Sequence, residues 1–248
     1  MYIVLSPAKR LHTIDAAKNA TEPFFWKNSR ALARHVQSLT VEDLEKTMKI
    51  SPKLGALNFE RFQNLAMTNV KGTPAIRTFA GDTYIGMDTN TLQDEDIAWA
   101  QSRIGILSGL YGVLRPLDNI EPYRLEMGTK IKTDKGKNLY DFWGEKVRKE
   151  VEKRTKSNSH AVVVNLASVE YFSVLKGLSV PHINPIFKEE KNGKYKIVAL
   201  KAKRARGSMA RFVVDNRIDD PEGLKAFSYG GYQFSKSDSD KQNWVFLR

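Results

Sequence analysis

Residues 103–129 read RIGILSGLYGVLRPLDNIEPYRLEMGT, a mixture of apolar, glycine, proline and charged residues that no amphipathic period explains. The apolar run at 104–107 ends at Ser108, which is typical of a strand that leads into a turn. The glycines permit close approach of the backbone, and the Xaa-Pro pairs at 115–116 and 121–122 favour extended or turn geometry. The segment therefore predicts a buried strand followed by a structured loop.

The loop after this strand is rich in arginine, tyrosine and carboxylate side chains. Together with the serine that ends the strand, its polar residues include Ser108, Tyr111, Arg115, Asp118, Glu121, Tyr123, Arg124 and Glu126. Loops of such composition at a strand end commonly carry binding sites. A second interpretation remains open, in which the charges pair with one another and the tyrosines belong to the core.

The charge balance points to polyanionic partners. The 248 residues include 40 Lys+Arg and 28 Asp+Glu, which gives a net charge of +12. Such an excess favours nucleic acid, phosphorylated ligands or an anionic membrane face. Residues 146–156 and 201–217 concentrate the excess, although a solvated lysine surface would give the same total.

Length and composition fit one large domain or two small ones, with a hydrophobic content of 41% that is ordinary for a globular protein. No apolar run approaches the roughly 18–20 residues that span a bilayer. The N-terminus lacks the features of a signal peptide, so we expect a cytoplasmic protein without membrane contact. The absence of cysteine excludes disulfides, thiolate metal sites and cysteine nucleophiles.

Local patterns predict helices and strands that alternate along the chain. The predicted strands are residues 2–5, 104–107, 161–166, 183–187, 195–200 and 244–247, and the predicted helices are residues 28–39, 41–49, 53–65, 94–103, 139–156, 169–175 and 204–217. Thr40 and Asp43 form a capping-box pattern before the second helix, and Asn192-Gly193 is typical of a hairpin turn. We therefore expect a single mixed α/β domain, residues 1–248, with a mixed sheet surrounded by helices.

The predicted helix at 204–217 is a candidate anion-binding element. Its apolar stripe consists of Ala205, Met209, Phe212 and Val213, and arginines border the stripe on both flanks, with Arg204 and Arg211 on one and Arg206 and Arg217 on the other. Guanidinium forks match phosphate oxygens well, and Gly207-Ser208 on the outward side would let a ligand approach closely. The alternative is an ordinary amphipathic helix with solvated arginines.

The two helices predicted within residues 41–65 form a second candidate. Their tight connection resembles the helix-hairpin-helix of DNA-repair proteins, in which backbone N–H groups grip a phosphate. The contacts would be Lys49, Ser51, Lys53 and Arg61. This connection lacks the glycines of the usual pattern, and these residues alone favour a simple pair of antiparallel helices.

Other chemistry has weaker support. Asn165 and Glu170 follow the predicted strand at 161–166, at a strand end where α/β folds often place a site. No glycine-rich phosphate loop accompanies them. The four histidines lack ligand spacing, so we expect neither a metal site nor a cofactor. The offset of Ser6 and Lys9 would suit acyl transfer but is common in unrelated proteins.

Six segments together resemble the YaaA family of bacterial peroxide stress proteins. They are LSPAKRL (5–11), FAGDTYIGM (79–87), ILSGLYGVLRPLDNIEPYRLEMG (106–128), NLYDFWG (138–144), VNLASVEYF (164–172) and AKRARGSMARF (202–212). The resemblance implies a mixed α/β domain with a positively charged cleft and a helix-hairpin-helix element. It also implies binding of double-stranded DNA and a role in limiting iron-driven damage during peroxide stress. It assigns no catalytic residue.

Two functions remain in competition. The first is a monomeric, non-catalytic DNA-binding protein. Its binding would be largely insensitive to DNA sequence and would include bent or bulged duplex. Its phosphate contacts would be Lys9, Lys49, Lys53, Arg115, Arg124, Lys203, Arg204, Arg206 and Arg211. The second is an enzyme for a phosphorylated or nucleobase-like ligand; its pocket would contain Asp82, Tyr84, Ser108, Tyr111, Asp118, Tyr123, Glu126, Asn165 and Glu170. The scattered histidines argue against direct iron storage.

Overall fold

A computed structural model describes residues 1–12, 19–66 and 72–248. Its strands are β1 (Tyr2–Leu5), β2 (Thr73–Pro74), β3 (Ile104–Ser108), β4 (Gly112–Leu114), β5 (Asn119–Ile120), β6 (Val163–Leu166), β7 (His182–Lys191), β8 (Lys194–Lys196), β9 (Gln233–Ser235) and β10 (Asn243–Leu247). Eight of them form a mixed sheet in the order β4-β3-β1-β6-β7-β10-β9, with β8 paired to β7, while β2 and β5 pair separately. The expected mixed α/β domain with a mixed sheet is confirmed.

The centre of the sheet is parallel and buried. β1 lies between β3 and β6, with Ile3 in register with Ile104 on one side and Val164 on the other. Every residue of β1 and β3 is buried, which explains why these strands are continuous apolar runs rather than alternating ones. Because parallel strands end at the same edge of a sheet, the residues that follow β1, β3 and β6 meet there.

Ten α-helices surround the sheet in the described part of the chain. They are α1 (Trp26–Gln37), α2 (Val41–Met48), α3 (Pro52–Gln63), α4 (Ala75–Thr78), α5 (Asp82–Met87), α6 (Asp94–Ala100), α7 (Leu139–Trp143), α8 (Lys146–Lys156), α9 (Val169–Phe172) and α10 (Ala199–Asp215). None of the described helices is both long and apolar enough to cross a membrane.

The capping box predicted at α2 is confirmed. The Asp43 amide donates to the Thr40 hydroxyl at 3.1 Å, and the Thr40 amide donates to the Asp43 carboxylate at 3.1 Å. Three residues then connect α2 to α3, and Lys49 among them adopts a left-handed φ of 52°. Pro52 opens α3, where its missing N–H is not needed.

Two sequence predictions of regular structure were wrong. The helix expected over 139–156 is divided into α7 and α8, because Gly144 takes a φ of 49° and ends the first of them. The strand expected over 195–200 stops at Lys196, and α10 already begins at Ala199. The first break has a local signal, since a glycine with positive φ commonly ends a helix.

Helices α5 and α10 cross at two glycines. A Cβ atom on Gly207 would lie 1.7 Å from the Thr83 carbonyl oxygen, and one on Gly86 would lie 2.0 Å from the Arg204 carbonyl oxygen. Ser208 donates its hydroxyl to the Gly86 carbonyl at 3.1 Å. The expectation that Gly207-Ser208 faces outward to admit a ligand was therefore wrong, since both residues pack against α5.

Candidate anion-binding cleft

A cavity of about 470 Å³ opens at the carboxyl ends of β1 and β6. We call it the inner cavity. Its walls come from the segment after β1, from α5, from residues 123–126, from the start of α9 and from α10. This is the sheet edge where ligands commonly bind in α/β folds.

Hydrogen bonds between sequence-distant residues hold these walls together. The Ser168 amide donates to the Ser6 hydroxyl oxygen at 2.8 Å, which joins the ends of β6 and β1. The Tyr84 hydroxyl donates to the Ser6 carbonyl at 3.0 Å, which fixes α5 against the same turn. Ser6 follows β1 and Ser168 follows β6, so the hydrogen bond between them connects the two strand ends at this edge of the sheet.

Neutral tyrosines form the apolar part of the inner cavity, which Tyr84, Tyr123 and Tyr171 line. The Tyr123 hydroxyl lies 2.6 Å from the Ser108 hydroxyl. Burial raises the pKa of both the Tyr84 and the Tyr123 phenol, so both stay protonated at neutral pH. The hydroxyl groups of Tyr84 and Tyr123 are thus engaged within the protein, and their rings form an apolar wall of the cavity.

Carboxylates orient part of the cationic wall. Glu126 binds the Lys9 ammonium at 2.9 Å and the Arg124 guanidinium at 3.1 Å. Glu170 accepts the Gly128 amide at 2.9 Å. The Nε of Arg124 is buried and has no hydrogen-bond partner among the described residues. These groups show that the loop 123–128 presents both signs of charge to the cavity.

Arg206 differs from its neighbours on α10. It lines the inner cavity, and within the described residues no hydrogen bond or ion pair involves its guanidinium. Burial lowers the pKa of this group, since a charged side chain loses hydration there. A partly buried guanidinium without an acid is available to an anion that enters the cavity.

A second cavity, of about 480 Å³, continues from the first, and we call it the outer cavity. The two share Glu126 and Glu170, and the outer cavity reaches α2 through Lys46 and Lys49. Lys130 lines its other side. We call the two cavities together the groove. Among the described residues, eight cationic side chains line the groove: Lys9, Arg10, Lys46, Lys49, Arg124, Lys130, Lys203 and Arg206. Only three acidic side chains of this part of the chain line it: Asp82, Glu126 and Glu170.

Several sequence-predicted phosphate contacts lie outside the groove. Arg204 is half-exposed and pairs with Asp82 at 3.3 Å on the rim. Arg211 pairs with Asp215 at 2.7 Å and donates to the Thr91 hydroxyl at 2.6 Å. Lys53 is exposed on the first turn of α3 and lines neither cavity.

Arg115 lies at the opposite edge of the sheet. It binds the fully buried Asp118 at 2.7 Å and lines a different cavity beside Arg103. The interpretation of residues 103–129 as a structural loop therefore holds for this half of the segment. The binding-site interpretation fits the other half, where Tyr123 and Arg124 reach the groove.

Four of the predicted pocket residues lie outside the groove and support the fold: Asp118, which binds Arg115 as described above, and Ser108, Tyr111 and Asn165. Ser108 is fully buried and accepts the Tyr111 amide at 2.9 Å beneath the cavity. Tyr111 is also buried, and its ring packs edge-on against Tyr123 with centroids 5.2 Å apart. Asn165 donates to the Asn184 side chain at 2.9 Å instead of lining the cavity.

Sequence reasoning missed three of the groove cations, Arg10, Lys46 and Lys130. Lys46 and Lys130 lie far apart in the chain and meet only across the outer cavity. No local signal distinguishes them from other surface lysines. In the described ranges, no group of three or more His, Asp or Glu side chains is arranged to hold a metal ion.

Comparisons with known proteins agree with the six motifs. The family model described as peroxide stress protein YaaA matches residues 1–238. A UPF0246 protein of Cereibacter sphaeroides is 47% identical over 255 residues, which cover 100% of this chain and 99% of the relative. UPF0246 proteins of Saccharophagus degradans and Dechloromonas aromatica are 45% and 44% identical with the same coverage.

Proposed function

Because the chain belongs to the YaaA family of peroxide stress proteins, we propose that it serves the peroxide response by binding duplex DNA through its phosphates. Family membership supports the role in peroxide stress. The DNA-binding step is our proposal, and so is a monomer that acts in the cytoplasm. Binding would place the protein on the molecule that iron-driven oxidation damages, and we propose that bound DNA is thereby protected.

The observation that carries this proposal is the set of unpaired cations in the groove. Six groove cations form no ion pair with an acid among the described residues: Arg10, Lys46, Lys49, Lys130, Lys203 and Arg206. Uncompensated cations along a continuous concavity attract a polyanion and release its counterions on binding. Contacts of this kind go to the backbone, so little dependence on sequence is expected.

The paired cations add a second step. Lys9 and Arg124 are held by Glu126 in the free protein, at 2.9 Å and 3.1 Å. A phosphate that displaces this carboxylate would gain two donors and expel one acid from the contact. The helix pair α2–α3 lies at the outer end of the groove, and we propose that Lys49 there contacts the same duplex.

Duplex binding by fluorescence anisotropy at several salt concentrations tests the proposal. A groove variant, K46Q/K130Q/K203Q, should bind at least about tenfold more weakly at low salt, with a salt slope shallower by roughly 2 to 3. The matched control is K146Q/K153Q/K156Q, which removes the same charge from exposed lysines of α8 outside the groove. Absence of salt-dependent binding by the parent, or equal binding by the groove and control variants, would refute it.

A second candidate function is recognition of a phosphorylated or nucleobase-like small ligand in the inner cavity. Its volume of about 470 Å³ falls in the range of ligand sites. Protonated Tyr123 offers an aromatic face, Glu126 offers acceptors for N–H groups, and Arg206 offers donors for a phosphate. A thermal shift with mononucleotides that is lost in R206Q would support this candidate, whereas no shift with any mononucleotide would oppose it.

A further inference from the structure

The hairpin made by β8 and the end of β7 lies outside the groove and forms a defined projecting element. Within the described chain β8 pairs with β7 alone, and residues 190–197 are all exposed. Asn192 and Gly193 form its two-residue turn with φ values of 54° and 71°, a combination that suits the twist of a hairpin. Glu190 accepts the Gly193 amide at 2.6 Å and steadies the turn.

The register of this hairpin places three lysines on one face. Lys191 is opposite Lys194, and Glu189 is opposite Lys196. Since alternate residues of a strand share a face and opposed residues point the same way, these four side chains belong to one side. We call residues 189–196 the lysine arm.

Within the described residues, no acid neutralises these lysines. Glu189 is already bound by the Arg248 guanidinium at 2.8 Å and by the Tyr232 hydroxyl. No ion pair involves Lys191, Lys194 or Lys196 in the described part of the chain. Like charges directly across a ladder destabilise it, so the opposed Lys191 and Lys194 carry a local cost that an anion between them would remove.

The lysine arm leads directly into the element that lines the groove. Lys201, in the first turn of α10, lies close enough to Glu189 to interact with it electrostatically. One turn further along α10, Lys203 and Arg206 line the inner cavity. The arm's cationic face and the groove are therefore joined by a single helix.

We propose that the lysine arm is a second phosphate contact that grips the duplex beside the groove, an inference that rests on the proposed DNA binding. A duplex needs only the cationic face, which charge complementarity supplies. Binding to a flat anionic bilayer would require cationic and apolar side chains on the same face of the hairpin. The aromatic Tyr195 instead projects from the face opposite the lysines. Pairing of the β8 edge with a second copy is disfavoured because lysines flank that edge.

The test compares an arm variant, the groove variant K46Q/K130Q/K203Q and a charge-matched control with the parent by duplex anisotropy across a salt series. The arm variant K191Q/K194Q/K196Q should lower affinity at low salt at least about tenfold and make the salt slope shallower by roughly 2 to 3. The control K146Q/K153Q/K156Q carries the same charge change and should stay near the parent. All substituted lysines are exposed, and equal urea midpoints would show that the fold is kept.

The outcomes separate this inference from the proposed function. If the parent binds no duplex, both the proposed DNA binding and the contact by the lysine arm are refuted. A parent that binds, with the groove variant weakened and the arm variant equal to the control, overturns the arm alone. Loss of binding to anionic phosphatidylserine vesicles in the arm variant, with duplex binding unchanged, also overturns it. Weakened duplex binding in the arm variant but not in the control supports it.

Discussion

Replacing Arg206 with methionine should stabilise the protein while weakening its grip on anions. Arg206 is partly buried in the inner cavity, and within the described chain its guanidinium has no hydrogen-bond or ion-pair partner. Leaving a buried polar group unsatisfied costs about 1–3 kcal/mol, and partial hydration reduces this to on the order of 1 kcal/mol here. Methionine preserves the aliphatic stem and has a similar helix propensity, so R206M should gain most of that energy.

The expected stabilisation corresponds to a rise in Tm of about 2–4 °C for a chain of this size. Binding should change in the opposite direction. Charge-assisted hydrogen bonds contribute about 1.5–3 kcal/mol, so affinity for a phosphate group in the cavity should fall roughly 10- to 100-fold. Urea unfolding and duplex anisotropy measure the two effects on the same samples.

R211M is the comparison within the same helix. Its guanidinium has the Asp215 and Thr91 partners described above, so its removal should destabilise the protein by about 1 kcal/mol. Because Arg211 lines neither cavity, R211M should lower duplex affinity less than R206M does. If R206M were destabilised like R211M and bound anions like the parent, Arg206 would be a structural residue and the reasoning would fail.

Three further predictions concern the cleft and its supports. Gly207→Ala should destabilise the protein by about 1–3 kcal/mol because the new Cβ would meet the backbone of α5. Gly55→Ala should be neutral or stabilising by up to about 1 kcal/mol, since its Cβ would meet only a movable glutamate side chain. Equal urea unfolding midpoints for the two variants would contradict this prediction. Burial raises the pKa of Tyr84 and Tyr123, so the stability they contribute is complete below the unfolded value of about 10 and is lost as the pH rises above it. The tyrosinate absorbance that Y84F and Y123F remove should therefore appear only together with unfolding, and its appearance in the native protein near pH 10 would refute the burial argument. Glu126→Gln should raise duplex affinity severalfold because it frees Lys9 and Arg124. The gain should be on the order of 1 kcal/mol, the energy of one exposed ion pair. A weaker complex in anisotropy would contradict the proposal that phosphate displaces this carboxylate.

The buried strands at the centre of the sheet could be predicted because they are encoded locally. β1 is apolar throughout, β3 is apolar up to Ser108, and β6 is apolar except for Asn165, as burial on both faces favours. The hairpin turn at Asn192-Gly193 was equally predictable, since positive φ at both positions selects those residue types. Such features need no knowledge of distant residues.

Features that depend on packing between distant elements could not be predicted in the same way. Helix α5 has only six residues and includes Gly86, so it shows no helical period, and its glycine has a purpose only once α10 is placed against it. Arg115 and Arg124 lie only nine residues apart in one charged segment, and nothing in that segment separates their positions. The antiparallel return of β4 carries Arg115 to the far edge, while Arg124 returns to the groove.

The carboxylates of the inner cavity decide between the two candidate functions. Glu126 and Glu170 repel phosphate, so a surface that only binds a duplex must have another use for them. If Glu126 serves only to hold Lys9 and Arg124 in the free protein, neutralising it must strengthen duplex binding, and mononucleotides must have no effect on Tm. If the acids of the cavity accept N–H groups of a base, the same substitution must abolish a nucleotide-dependent rise in Tm, because a donor on the ligand would lose its acceptor. One substitution, read in two assays, therefore assigns the acids to the cations beside them or to the ligand.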